Sequence, residues 1–475
     1  MKCNLPNRKS GNETPEEEAE FRQSMGDSIA KIMKVMLRLL KPLVGDLPDY
    51  RDQRRVTYPK ESLFLYGVMM FAMLAETRRE ANRFMTEPFM QANLKAVIPG
   101  LDAVAHNDTL MKFLLRIGAI GAEVIQKIYH ALIKKLLRNK EFRRLAGNLT
   151  ILVDGSGKGS KDWKYSDKAL HRKTTNGKVW MTYVLHSVLV LENGMVIPLC
   201  TEFLENDGGE FDKQDCETKA WSRMAPKLHK LVGDGATVIL DGLYASGPII
   251  TQCMQYAWEY IITLKDGSMP SVADEAHRLM KYNRSDSVAT ELDGRQQVIE
   301  WANDVEFMVS QNRTYIGLHI VRMEESWTEF HTATGKNPEQ KKATYQWISS
   351  RPLNERNAQG ICMLGRKRWL VENNFKTEKH DGYGFGHYFS LDWDVNKAYH
   401  YFMNIGHFVN VMILSSELFD GLVLSLGGIG AFLKKVRLVF SGFVLDAKRI
   451  LAATEQPFRW RFSTLSIYSQ IASPP

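Results

Sequence analysis

The chain has 475 residues, 44% hydrophobic and 24% charged, with 62 Lys and Arg against 54 Asp and Glu, a formal net charge of +8. That composition excludes a disordered chain, the length calls for several cores rather than one, and the positive balance suits a polyanionic partner. The 5 cysteines (Cys3, Cys200, Cys216, Cys253 and Cys362) contain no CxxC pair, which argues against a disulfide framework or structural zinc and for a reducing compartment.

In chain order, residues 1–20 are polar and acidic, with Glu16-Glu17-Glu18 beside Pro15, and read as a flexible lead-in to a first helix. No signal-peptide pattern opens the chain, so a cytoplasmic protein is expected. Ile29, Ile32, Met33, Met36, Leu37 and Leu40 recur at helical spacing and predict a helix over 21–41, stopped at Pro42. Helical patterns also cover 62–85, 109–118 and 122–138, with Asn107-Asp108-Thr109 as a capped start. Residues 1–145 thus read as a basic, all-helical region.

The texture changes at Leu149. Strand-like runs cover 149–154, 179–191, 195–203, 236–241 and 259–264, and Asn193-Gly194 is a hairpin turn signal. Helices are expected at 213–231 and 246–256. The order β-β-β-α-β-α-β over 146–265 is that of a mixed α/β sheet. Residues 266–345 hold alternating β-rich runs and predict a β-rich insertion, with Tyr345–Ser349 belonging to the insertion or to the main sheet. Helices resume at 357–378 and 393–418, within 346–433, and a basic tail follows over 434–475. The apolar stretch 408–426 carries Glu417 and Asp420, so it reads as a buried helix rather than a membrane span.

Three acidic residues carry the chemistry. Asp154 closes the apolar run Leu149–Val153, Asp241 closes Ala236–Leu240, and Glu372 lies in a helical segment. Two strand-end carboxylates and one from a packed helix are hard oxygen ligands suited to Mg2+, with Mn2+ able to substitute, for phosphodiester chemistry. Arg368 lies four residues before Glu372 and Lys379 seven after, so the three line one helical face. Arg368 is expected to clamp phosphate or orient Glu372, and Lys376 is expected as a further DNA contact. Gly155-Ser156-Gly157-Lys158-Gly159-Ser160 fails the P-loop pattern. It is expected as a flexible turn after Asp154 that brings Lys158 near DNA phosphate.

The segments Val153-Asp154-Gly155-Ser156, Ile239-Leu240-Asp241-Gly242-Leu243-Tyr244 and Glu372-Asn373-Asn374-Phe375-Lys376 resemble the DDE superfamily of insertion-sequence transposases, over roughly 149–415. Arg368, Glu372 and Lys379 stand at the spacings of the signature Tyr-x2-Arg-x3-Glu-x6-Lys, with Gly365 in place of the tyrosine. The resemblance implies an RNase H-like α/β fold interrupted by the β insertion and preceded by the helical region. It implies a cut-and-paste enzyme acting on double-stranded DNA, at terminal inverted repeats and at a target, as a homodimer on paired ends. Asp154, Asp241 and Glu372 would be both catalytic and metal-binding. An insert aromatic such as Trp327 would stack on a flipped base. Two other readings stay open: a transposase-derived DNA-binding protein that no longer cuts, and another RNase H-like nuclease.

Overall fold

The computed structural model describes residues 14–175, 177–206, 213–265, 267–283, 285–309, 315–329, 338–455 and 458–463. Residues 1–13 of the expected lead-in and the end of the tail lie outside them, while 15–20, also expected to be flexible, are already helix. The helical region contains α1 (Pro15–Leu40), α2 (Lys60–Ala72), α3 (Arg78–Phe84), α4 (Pro88–Val97), α5 (Asn107–Leu137) and α6 (Lys140–Ala146). Thr14 caps α1 through a reciprocal pair with Glu17, the arrangement that satisfies two free N–H groups at a helix start. The two helices expected at 109–118 and 122–138 are one element, α5, bent at Gly118, whose φ of 51° and ψ of −145° break the helical path. The helix expected at 62–85 is instead two, because α2 ends before Leu74 (φ 58°).

The second region opens with β1 (Thr150–Lys161), β2 (Leu170–Thr174), β3 (Gly177–Val190) and β4 (Val196–Leu204). After these come α7 (Glu217–Val232), β5 (Thr237–Leu240), α8 (Gly247–Gln255) and β6 (Glu259–Thr263). Gly194, at φ 80°, turns the chain between β3 and β4. The segment after Asp154 is strand, not turn. It pairs with β3 as far as Lys161↔Trp180, with a bulge at Lys158 between Gly157↔Tyr183 and Gly159↔Thr182. Pairing on a neighbouring strand overrides the local glycine preference.

The insertion adds α9 (Pro270–Tyr282), β7 (Ser287–Leu292), β8 (Arg295–Met308), β9 (Tyr315–Glu329) and β10 (Glu339–Ser349). Its strands extend the main sheet. The 10-stranded order is β2-β3-β1-β5-β6-β10-β9-β8-β7, with β4 also on β3. The join is antiparallel, Trp347↔Thr263 and Ile348↔Ile262, so residues 345–349 serve both the insertion and the main sheet. The chain continues with α10 (Ala358–Arg366), α11 (Trp369–His380), α12 (Trp393–Leu414), α13 (Leu422–Ser425), α14 (Ile429–Gly442) and α15 (Ala447–Glu455). Every residue of α12 from Ala398 to Leu414 is buried. It packs against α2 and α5 on one side and β4 on the other, and so joins the helical region to the sheet. The basic C-terminal segment is helical and packs back onto α1 and α4. Among the described residues no helix is long and apolar enough to cross a membrane.

Candidate active site

Parallel pairing places the first two carboxylates side by side. β1 and β5 pair as Ile151↔Val238 and Leu152↔Ile239. Asp154 and Asp241 each lie two residues further on, so the same register carries both to neighbouring positions. β1 continues past Asp154, whereas β5 ends at Leu240 and Asp241 starts a short 3-10 turn.

Glu372 comes from the first turn of α11, where the helix dipole favours a negative charge. Arg368 links it to the sheet: one guanidinium nitrogen lies 3.2 Å from Asp154 Oδ2 and another 2.9 Å from Glu372 Oε1. Lys265, just after β6, donates to Asp241 Oδ2 at 2.8 Å. Burial raises the Asp154 carboxyl above its usual range, with Glu217 and Asp241 adding to the rise and Arg368 and the Gly155 N–H opposing it. At Asp241 burial also pushes upward, but the hydrogen bonds from Lys265 and the Gly242 N–H and the charge of Arg368 outweigh it and hold the carboxyl low.

A fourth carboxylate, missed from sequence, stands beside these. Glu217 begins α7 and accepts hydrogen bonds from the Tyr183 and Tyr244 hydroxyls, each at 2.9 Å. A Cβ at Gly155 would meet Glu217 Oε1 at 2.3 Å, so glycine after Asp154 is what admits this close approach. Sequence reasoning misses Lys265 as well. Neither residue carries a local pattern, because both reach the site through tertiary pairing.

Three carboxylates offer the hard oxygens a divalent cation takes, and Asp241 Oδ1 is buried with no hydrogen-bond partner. Donor chemistry therefore fits such an ion. Among the described residues, though, no three His, Cys, Asp or Glu side chains are drawn together as a metal cluster. Arg368 and Lys265 hold the carboxylates instead.

The remaining expected residues separate. Lys379 is brought close, donating to Ser156 Oγ at 2.8 Å. Lys376 is exposed on the same helix. Lys158 is not at the surface, which corrects the expected phosphate contact. It is 3% exposed, and its ammonium donates to the Phe385 carbonyl at 2.7 Å. Burial lowers it to about 7. The bulge in β1 turns it inward. Trp327 stands apart, in the outer part of β9, with the Arg295 guanidinium 4.3 Å from its ring centre. Glu378, the alternative acid on α11, is wholly buried and paired with His407 at 2.9 Å.

The absent signature tyrosine has a steric cause. A Cβ at Gly365 would lie 2.5 Å from the Trp347 indole, so this ring already fills the space. Trp347 stacks on Tyr345 with centroids 5.7 Å apart, and Arg366 covers Tyr345 at 5.3 Å.

Residues 149–406, more than half of the chain, match the family model described as the transposase DDE domain. A comparison with curated proteins finds no match.

Proposed function

The chain belongs to the transposase DDE-domain family, and from that premise we propose that it cuts DNA at transposon ends and joins the freed end to a target. The observation that supports this best is the shared register of Asp154 and Asp241, with Glu372 tied to Asp154 through Arg368. In this reading Asp154, Asp241 and Glu372 would hold Mg2+ or Mn2+. Such ions, when bound, supply Lewis-acid stabilisation of the charge that develops at phosphorus and on the leaving oxygen. Arg368 orients Glu372 toward Asp154, and Lys379, anchored on Ser156, keeps α11 against β1. Water attacks the phosphorus and the 3′ oxygen leaves. The resulting 3′ hydroxyl then attacks a target phosphodiester, releasing a second 3′ oxygen.

The helical region would hold the terminal inverted repeats. A cavity of about 480 Å³ there is lined by Arg51, Arg55, Lys112 and Arg116 beside Tyr58 and Phe113, and Lys112 and Arg116 are exposed. Two protomers on paired ends, working in the cytoplasm, complete the proposal. The test is to mix purified protein, a labelled candidate end and Mg2+. Nicking is expected from the wild type and not from Asp154→Ala, Asp241→Ala or Glu372→Ala. Intact DNA binding without nicking would leave a DNA-binding protein that does not cut, and nicking that survives these substitutions would refute the site.

A further inference from the structure

The hairpin of β2 and the start of β3 carries charge that the fold does not use. Lys173 and Lys178 are direct cross-strand partners, although like charges opposite each other destabilise a sheet. Both are exposed, as is Arg172. Among the described residues none of the three has an ion pair. His171 pairs with Trp180, which pairs in turn with Lys161 of β1. Lys161, His171, Lys173, Lys178 and Trp180 therefore share one face of the sheet. Lys164 lies 5.4 Å over the Trp180 ring, and Trp163 beside it is 48% exposed.

The same row of β3 leads to His186, opposite Asp154, so the ridge lies on the Asp154 face. From His186 to Lys178 the strand covers eight residues, roughly 27 Å, or about eight base pairs of duplex.

We propose that this lysine ridge is a clamp for the phosphate backbone of duplex DNA, about eight base pairs from the bond that is cut. The distance rests on the reading of Asp154, Asp241 and Glu372 as the cutting site; the clamp itself does not. Lys173 and Lys178, which repel one another and face no carboxylate among the described residues, are stabilised when a polyanion neutralises them, and the exposed Trp163 ring beside Lys164 suits a nucleic-acid surface.

The test is the salt dependence of binding to a labelled mixed-sequence duplex. Lys173→Ala/Lys178→Ala should reduce the slope of log K against log salt by about 1.8, at about 0.9 for each phosphate that is no longer neutralised. Lys173→Glu, which removes as much positive charge as the double variant, should also weaken binding yet melt no lower than wild type, because an opposite-charge pair replaces a like-charge one. An unchanged slope in the double variant overturns the clamp. So does a Lys173→Glu protein that loses affinity only in step with thermal stability. Wild type that binds with the expected slope but never nicks refutes the cutting site and leaves the clamp standing.

Discussion

Lys158 offers the sharpest test, because a surface lysine at this position and a buried one behave oppositely. The residue is 3% exposed, and its ammonium is bound to the Phe385 carbonyl and close to His400. Burial lowers its pKa from 10.5 to about 7. Below pH 7 the lysine is charged in both folded and unfolded chains, and the full cost of burying the charge is present. As pH rises from about 7 toward 10.5 the folded state sheds its proton first, so stability rises and then levels off. The difference of 3.5 pH units, at about 1.36 kcal/mol each, makes that gain about 5 kcal/mol. Lys158→Met removes the titration. It also strands the Phe385 carbonyl, at about 1–3 kcal/mol that does not vary with pH. The assay is chemical unfolding of both proteins across this range, read as wild type minus variant so that other groups cancel. The difference should climb with pH, while DNA affinity and its salt slope stay equal. A pH-independent difference, or a variant whose salt slope falls, would refute the buried assignment.

Glu325 is fully buried between Arg295, Arg366 and Gln297. Glu325→Ala strands two cations and should cost about 3–5 kcal/mol by chemical unfolding, against almost nothing for exposed Glu324→Ala. Gly365→Tyr, which restores the signature residue, should destabilise by about 1–3 kcal/mol or more, because its Cβ collides with Trp347. Adding Trp347→Ala should recover part of that loss, and melting temperatures of the three proteins decide it. Arg368→Lys keeps the charge but loses the two-pronged bridge. Nicking should fall about 10- to 100-fold, close to the loss in Arg368→Ala, with melting little changed; a wild-type rate in Arg368→Lys would exclude the bridging role.

Much of this architecture is legible in local patterns. The runs before Asp154 and Asp241 are short, apolar and β-branched, and such runs become central parallel strands wherever they pair. Glu372 stands out by its spacing to Arg368 and Lys379, and the structure keeps Arg368 on Glu372. What stays hidden depends on partners distant in sequence. Leu170–Thr174 reads Leu-His-Arg-Lys-Thr, too charged to suggest a strand, and forms one by pairing at the sheet edge. Gly155–Ser160 reads as a turn and is held extended by β3. Lys158 is misplaced by sequence for the same reason, since burial at a bulge follows from the pairing register rather than from composition. Glu217 and Lys265 have no neighbouring signal at all.

The long insertion raises a physical question, since the candidate site needs Glu372 fixed against two aspartates 131 or more residues earlier in the chain. A loose loop of that length would leave α11 free to drift, and closing it costs entropy that grows with its length. The fold removes the slack at three places. β10 pairs with β6 at Trp347↔Thr263, so the chain leaves and re-enters the sheet on adjacent strands. Lys265, two residues past that pairing, holds Asp241, and Arg368, just beyond α10, holds Asp154 and Glu372. Between them, Trp347 packs into the space above Gly365 and Glu325 binds Arg366, fastening α10 to the insertion. The two cations that balance the carboxylates therefore lie one directly before the insertion and one beyond α10, the helix the insertion braces. On this geometry loosening Glu325 or Trp347 should disturb Arg368 before it disturbs Asp154 or Asp241.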